Sequence, residues 1–132
     1  AGYTWLATRI LAADDSGVTG LAPFEVGDRL PRRAAHRAFV DLTYARGAVS
    51  AFVSTEARGK TLDIEPSFGL FGGLYENAGY TSSSAGLSWR VTPRVTLFGR
   101  VTNLFDRAYE EVFGFPAPGR QAAGGVRIAA GR

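Results

Sequence analysis

Two groups of residues in this sequence are dense enough in polar or aromatic side chains to suggest chemistry. The first is Asn103-Leu104-Phe105-Asp106, with Gly119-Arg120 closing the same connection, so that an amide, a carboxylate and a guanidinium sit at the two ends of one excursion of the chain. Asn and Asp at the end of a strand fold their side chains onto nearby backbone N–H groups, and an arginine opening the return strand is placed to meet Asp106 across the gap. A structural clasp of Asn103, Asp106 and Arg120 is therefore expected before ligand contact. The second group is aromatic: Phe68, Phe71, Tyr75, Phe113 and Phe115 lie in long glycine-bearing connections and project beyond that clasp, which makes them the candidates for touching a ligand.

Catalysis and metal binding find little material. His36 is the only histidine and there is no cysteine, which removes thiol chemistry, disulfide frameworks and Cys-based zinc sites. Asp14-Asp15 and Glu110-Glu111 are adjacent acids, and in an extended chain adjacent side chains point to opposite sides, which is wrong for a general acid/base pair. They read as loop solubilisers, and His36 as a solvated rim residue. No catalytic residue, metal site or cofactor is expected. An enzyme of the lipase or protease kind would need a nucleophile beside a base.

The elements that must carry these residues follow from period. The chain has 132 residues, 45% of them hydrophobic, without a run of about 18 apolar residues, so a membrane-spanning helix is excluded and short spanning strands are not. Its net charge of +3 and pI near 9.7 come from arginines scattered singly, without the basic tract of a nucleic-acid footprint. Tyr3 to Ala13 is expected as a strand, and Asp14 to Arg33 as a long loop. From Ala35 to Arg46, Val40, Leu42 and Tyr44 share one face, with Arg37, Asp41 and Thr43 on the other. Arg46-Gly47 is a minimal turn, after which Val49, Ala51, Val53, Thr55 and Ala57 oppose Ser50, Ser54, Glu56, Arg58 and Lys60. Pro66 to Gly79 shows neither strand nor helix period and is expected as a second long loop. Tyr80 to Val91 and Val95 to Thr102 alternate around the Thr92-Pro93-Arg94 turn. A last run, opened by Gly119-Arg120, sets Ala122, Val126, Ile128 and Ala130 against Gln121 and Arg127.

Runs of about 10 residues match what a tilted strand needs to cross a bilayer, and their connections alternate strictly between long and minimal. That rhythm puts the three long loops at one end and the two turns at the other. A soluble antiparallel sandwich uses the same period of two, so alternation alone leaves both open. Strand length and loop rhythm favour the barrel, whose aromatic belts are also the default explanation of any single residue among Phe68, Phe71, Tyr75, Tyr80, Tyr109, Phe113 and Phe115.

The stretch Thr92 to Arg120 organises the rest. Within it, NLFDRAYEEVFGFPAPGR resembles the last extracellular hairpin of TonB-dependent outer-membrane receptors, whose pattern runs close to NLFD-K/R-x-Y-E, then aromatic-Gly-aromatic, then PGR. The residues carrying the resemblance are Asn103, Leu104, Phe105, Asp106, Tyr109, Gly119 and Arg120. Leu30 to Arg46 and Ala48 to Asp63 extend the likeness over most of the chain, nearest to the cobalamin-receptor branch. The resemblance implies an all-β fold: about six C-terminal strands of an antiparallel transmembrane β-barrel, with long extracellular loops and short periplasmic turns.

A plugged barrel of that kind has about 22 strands, so residues 1–132 would be the C-terminal portion of the barrel domain. The plug and the segment that contacts TonB would lie upstream of Ala1, consistent with a sequence that does not start on Met. By resemblance the whole protein is a monomeric receptor in the outer membrane of a Gram-negative cell, taking up cobalamin or a ferric siderophore. Its partners would be outer-membrane lipid, the TonB system, the nutrient and the barrel assembly machinery, and not nucleic acid. A passive or structural barrel without TonB coupling is the alternative. Family members generally finish on an aromatic residue, whereas this chain finishes Ala130-Gly131-Arg132, with Ile128 and Val126 the nearest apolar candidates.

Overall fold

The computed structural model describes residues 1–12, 25–64 and 74–130. Ten strands form in chain order: β1 (Gly2–Trp5), β2 (His36–Arg46), β3 (Val49–Arg58), β4 (Thr61–Ile64), β5 (Leu74–Asn77), β6 (Tyr80–Arg90), β7 (Val95–Thr102), β8 (Glu110–Val112), β9 (Phe115–Pro116) and β10 (Gln121–Ile128). Six of them make one sheet in the order β1-β2-β3-β6-β7-β10, and β4-β5 and β8-β9 are separate two-stranded hairpins. All pairings are antiparallel.

Two tight connections fix the register. Arg46 pairs with Val49, so Gly47-Ala48 is a two-residue loop displaced by one position from the Arg46-Gly47 turn expected. Gly47 has φ of +58°, which only glycine adopts freely and which primed hairpin turns require at their first central position. Between β6 and β7 the Thr92 hydroxyl accepts from the N–H of Arg94 at 3.2 Å and of Val95 at 3.0 Å, satisfying two amides of the turn.

Cross-strand partners share a face, and the ladders sort the side chains. One face carries Val40, Leu42 and Tyr44 of β2, Ala51 and Val53 of β3, Ala85, Leu87 and Trp89 of β6, Leu97 and Val101 of β7, and Ala122 and Val126 of β10. The other carries Arg37, Asp41, Thr43, Ser50, Ser54, Glu56, Arg58, Ser82, Ser84, Ser88, Arg90, Thr96, Arg100 and Arg127. Both faces agree with the alternation expected. Three phenylalanines break it, because Phe39, Phe52 and Phe98 lie on the polar face. Each stands directly opposite a glycine, respectively Gly2, Gly86 and Gly125, and its ring fills the space a side chain there would take. The ring thereby covers backbone that glycine leaves bare, which lets an aromatic residue sit in a polar row.

Burial is inverted relative to a soluble domain. Among the described residues the only buried hydrophobic side chain is Ala34, whereas Thr61, Asp63, Asn77, Ser83 and Asn103 are buried polar ones. Leu42, Tyr44, Leu87, Trp89, Val126 and Ile128 are exposed. An apolar face of this extent needs a non-aqueous partner, and among the described residues no second layer covers it.

The ends of two elements differ from expectation. The first strand stops at Trp5 rather than Ala13 because its partner β2 begins at His36; beyond that, the described residues of the two arms touch at separate points, such as Ile10 N–H to Asp28 C=O at 2.8 Å. The second long loop, expected from Pro66 to Gly79 without periodic structure, contains β5, which pairs with β4 just ahead of it. Gly59 separates β3 from β4, its N–H donating to the His36 carbonyl at 2.9 Å, and a Cβ there would lie 3.3 Å from that same oxygen.

Candidate functional site

The meander order places the β1–β2, β3–β6 and β7–β10 connections at one end of the sheet and the two tight turns at the other. At the long-loop end Asp63, beside the second connection, is reached by groups of the first and the third. Its side chain is 1% exposed; Oδ1 accepts from Arg32 Nε of the first loop at 2.7 Å, and Oδ2 accepts from the Phe113 N–H of the third at 3.3 Å. Arg32 also donates its backbone N–H to the Leu62 carbonyl at 2.7 Å while holding φ of +58°. A non-glycine residue in that region is uncommon, and here two contacts to β4 hold it.

Further links join the β4–β5 hairpin to the β8–β9 hairpin. Asn77 Nδ2 donates to the Glu110 carbonyl at 3.1 Å, and the rings of Tyr75 and Phe113 meet with centroids 4.1 Å apart. Beside them Tyr80 stacks on Tyr109 at 4.1 Å, and the Tyr80 hydroxyl donates to Glu111 at 3.4 Å. The Glu110 carboxylate accepts the Gly114 N–H at 2.9 Å, closing the hairpin turn where Gly114 takes φ of +79°. Glu110 and Glu111, expected only to solubilise the loop, thus hold it in shape. Asp14 and Asp15 lie outside the described residues.

The Asn103–Asp106 knot is built from backbone contacts. Asn103 is buried at φ +48°; its amide nitrogen donates to the carbonyls of Arg107 at 2.9 Å and Pro118 at 3.2 Å, and its oxygen accepts the Arg107 N–H at 2.9 Å. Asp106 Oδ1 accepts from the backbone N–H of Arg120 at 2.7 Å, so the expected meeting of these residues does not run through the guanidinium. Gly119 leaves room for this bond, since a Cβ on it would lie 3.0 Å from the same Oδ1 and press on it. The Leu104 N–H donates to Ser83 on β6 at 2.8 Å, the Tyr109 carbonyl accepts from Ala117 at 2.8 Å, and Phe105 is exposed.

Of the aromatic ligand candidates, Phe115 is 70% exposed, Tyr75 and Phe113 pack on each other, and Phe68 and Phe71 lie outside the described residues. Tyr80 and Tyr109 face each other in the loop layer, so they do not form the aromatic belt. The belt positions on the apolar face are Tyr3 and Trp5 at the loop end and Tyr44 and Trp89 at the turn end. His36 is exposed at that rim, with Nδ1 2.7 Å from the Tyr3 hydroxyl. Sequence reasoning passed over Arg32, Asp63 and Asn77, and only the lone acid in the Thr61–Ile64 alternation hinted at them. Among the described residues no group of three or more His, Asp or Glu side chains is arranged to hold a metal ion.

A family description, "TonB dependent receptor-like, beta-barrel", matches residues 1–104 of the chain. The chain belongs to the TonB-dependent receptor family. Its six-stranded sheet is a section of the transmembrane β-barrel wall, with the long loops extracellular and the Gly47-Ala48 and Thr92–Arg94 turns periplasmic. In a receptor wall the exposed Val, Leu and Trp face meets lipid and the arginine- and serine-bearing face meets the lumen. The ferric-catecholate import receptor Fiu of E. coli K12, in its closed form, superposes with a TM-score of 0.64 at 23% identity over 76% of this chain. The chain spans 15% of the length of that receptor.

Proposed function

We propose that this chain forms wall and outer loops of an outer-membrane receptor that captures a scarce nutrient, cobalamin or a ferric siderophore, and releases it to the periplasm using TonB-transmitted energy. Membership of the family, whose barrels reside in the outer membrane, supports this reading. The observation that carries it further is the Asp63-centred union of three extracellular loops, which holds exposed aromatic groups such as Phe115 on a fixed base. Preorganised loops on a rigid scaffold are where binding residues concentrate. Within this reading Asn103, Asp106 and Gly119 shape the last hairpin. Tyr75, Phe113 and Phe115, with Phe68 and Phe71, are the ligand-contact candidates. The plug domain and the TonB-contacting segment belong to the upstream part of the protein, and the complete barrel is a monomer delivered by the barrel assembly machinery.

The experiment is uptake by whole cells carrying the full-length gene, with labelled cobalamin and labelled ferric siderophores, in the presence and absence of a functional TonB system. Accumulation that requires both the gene and TonB is expected. Accumulation that requires the gene but not TonB would favour a passive barrel.

A further inference from the structure

The turn end of the sheet carries positive charge alone. Arg46, Arg90, Arg94 and Arg127 stand there, and residues 44–51, 89–97 and 126–130 include no acid. Among the described residues neither ion pair involves these arginines. Arg90 and Arg127 belong to the luminal face, but Arg46 does not. It follows Leu42 and Tyr44 in the period of two, and the ladders set it in one outward row with Val49, Trp89, Leu97 and Val126. Two strand spacings, about 10 Å, separate Arg46 from Trp89. An arginine on the lipid side keeps its stem along apolar surface and carries its head to the polar layer of the membrane, where phosphates lie.

Next to Trp89 on the same face is a hollow of about 570 Å³, walled by Leu87, Trp89, Leu97 and Val101 and floored by Ala85 and Gly99. The wall itself does not demand glycine at 99. A Cβ there would meet nothing closer than the Ala123 carbonyl at 3.8 Å, so a side chain would fit, and its lack leaves apolar space open toward the bilayer. Gly124 of β10, the ladder partner of Gly99, extends the floor.

We infer that the hollow and the outward arginine form a site for one anionic glycerophospholipid of the periplasmic leaflet. An acyl chain lies over Gly99 beside Leu87, and the phosphate meets Arg46 and the exposed Arg94 of the β6–β7 turn, with Trp89 at the interfacial level between chain and headgroup. Charge decides the headgroup: a zwitterionic lipid brings its own cation to an end that already holds four, whereas an anionic one does not. Bulk lipid would wet the wall without such a choice. The inference rests on the placement of the wall in the membrane and is independent of the cargo.

The test reconstitutes the full-length receptor in phosphatidylcholine vesicles and compares bromine-labelled phosphatidylglycerol with identically labelled phosphatidylcholine as quenchers of Trp89, whose signal is the difference from Trp89→Phe. At low salt phosphatidylglycerol should show a relative affinity roughly fivefold higher or more. Arg46→Gln and Arg94→Gln should each cut that preference, and together bring it to parity, as should high salt. Gly99→Leu, which fills the hollow without touching a charge, should also lower it. Arg90→Gln removes the same charge on the luminal side and should leave it as it was. All of these variants should keep the heat-resistant gel mobility of the folded barrel. No preference in the wild-type receptor overturns the site. So does an equal loss from Arg90→Gln, which would reduce the effect to diffuse charge, or a preference indifferent to Gly99→Leu, which would leave the hollow without an occupant. Stronger quenching by bromine-labelled lipid A than by phosphatidylglycerol overturns it as well. TonB-dependent uptake judges the receptor reading separately.

Discussion

The ring of Phe52 on β3 occupies the space that a side chain on Gly86, its direct partner on β6, would need. The same relation joins Phe39 to Gly2 and Phe98 to Gly125, so three ladders of the wall each contain one ring-over-glycine pair on the luminal face. Gly86→Ala should force the ring off its site and destabilise the barrel by about 1–3 kcal/mol, the usual range for overpacking. Gly86→Ala with Phe52→Ala should recover part of that loss. The temperature at which the full-length receptor loses its compact gel mobility reports both.

Asp63→Ala removes the acceptor shared by Arg32 and Phe113. The expected result is local: faster protease cleavage and amide exchange in all three extracellular loops at once, with a local cost of about 1–3 kcal/mol. Barrel melting should stay where it was. A loosening confined to the second loop would show that Asp63 does not couple the three.

The last hairpin should respond asymmetrically. Asp106 accepts from the backbone of Arg120, so Asp106→Ala loses the bond and places alanine at φ +52°, whereas Arg120→Ala keeps the N–H that donates. Asp106→Ala should lower the yield of folded barrel by an amount corresponding to about 1–2 kcal/mol, with Arg120→Ala near neutral. Asp106→Asn, which tolerates that backbone region and can still accept, should retain most of the wild-type level. Equal losses for the alanine variants at 106 and 120 would mean the guanidinium matters after all.

Leu42 and Leu87 lie on the apolar face, Ser84 on the luminal one. Arginine at Leu42 or Leu87 should cost about 2–4 kcal/mol in the folded receptor, since those sites meet the bilayer interior. Ser84→Arg should be tolerated. Bromine-labelled phospholipids should quench Trp89, and more so when the label sits high on the acyl chain, because Trp89 stands near the periplasmic turn.

How much of this was readable beforehand can be judged from particular residues. Val40-Asp41-Leu42-Thr43-Tyr44 declares its two faces through alternation alone, because nothing but lipid and lumen acts on them. The tight turns were equally plain in Gly47 and in Thr92-Pro93-Arg94. Phe52 was not, since its neighbour in space is a glycine 34 positions later in the sequence, and only the register brings them together. Nor were the hairpins β4–β5 and β8–β9, which hold through contacts such as Asp63 to Arg32 that no local period encodes. The knot at Asn103 was visible as a density of polar residues, but not its wiring, because a backbone N–H has no signature in the residue that bears it.

The two-residue Gly47-Ala48 loop and the Thr92 hydroxyl set the alignment of their hairpins from the periplasmic end. Information about how the wall fits together therefore resides opposite the surface that meets the outside world. Extracellular segments can be lengthened, shortened or exchanged between receptors while each hairpin still zips in step, so that new cargo preferences become accessible to evolution, or to grafting, on an unchanged barrel.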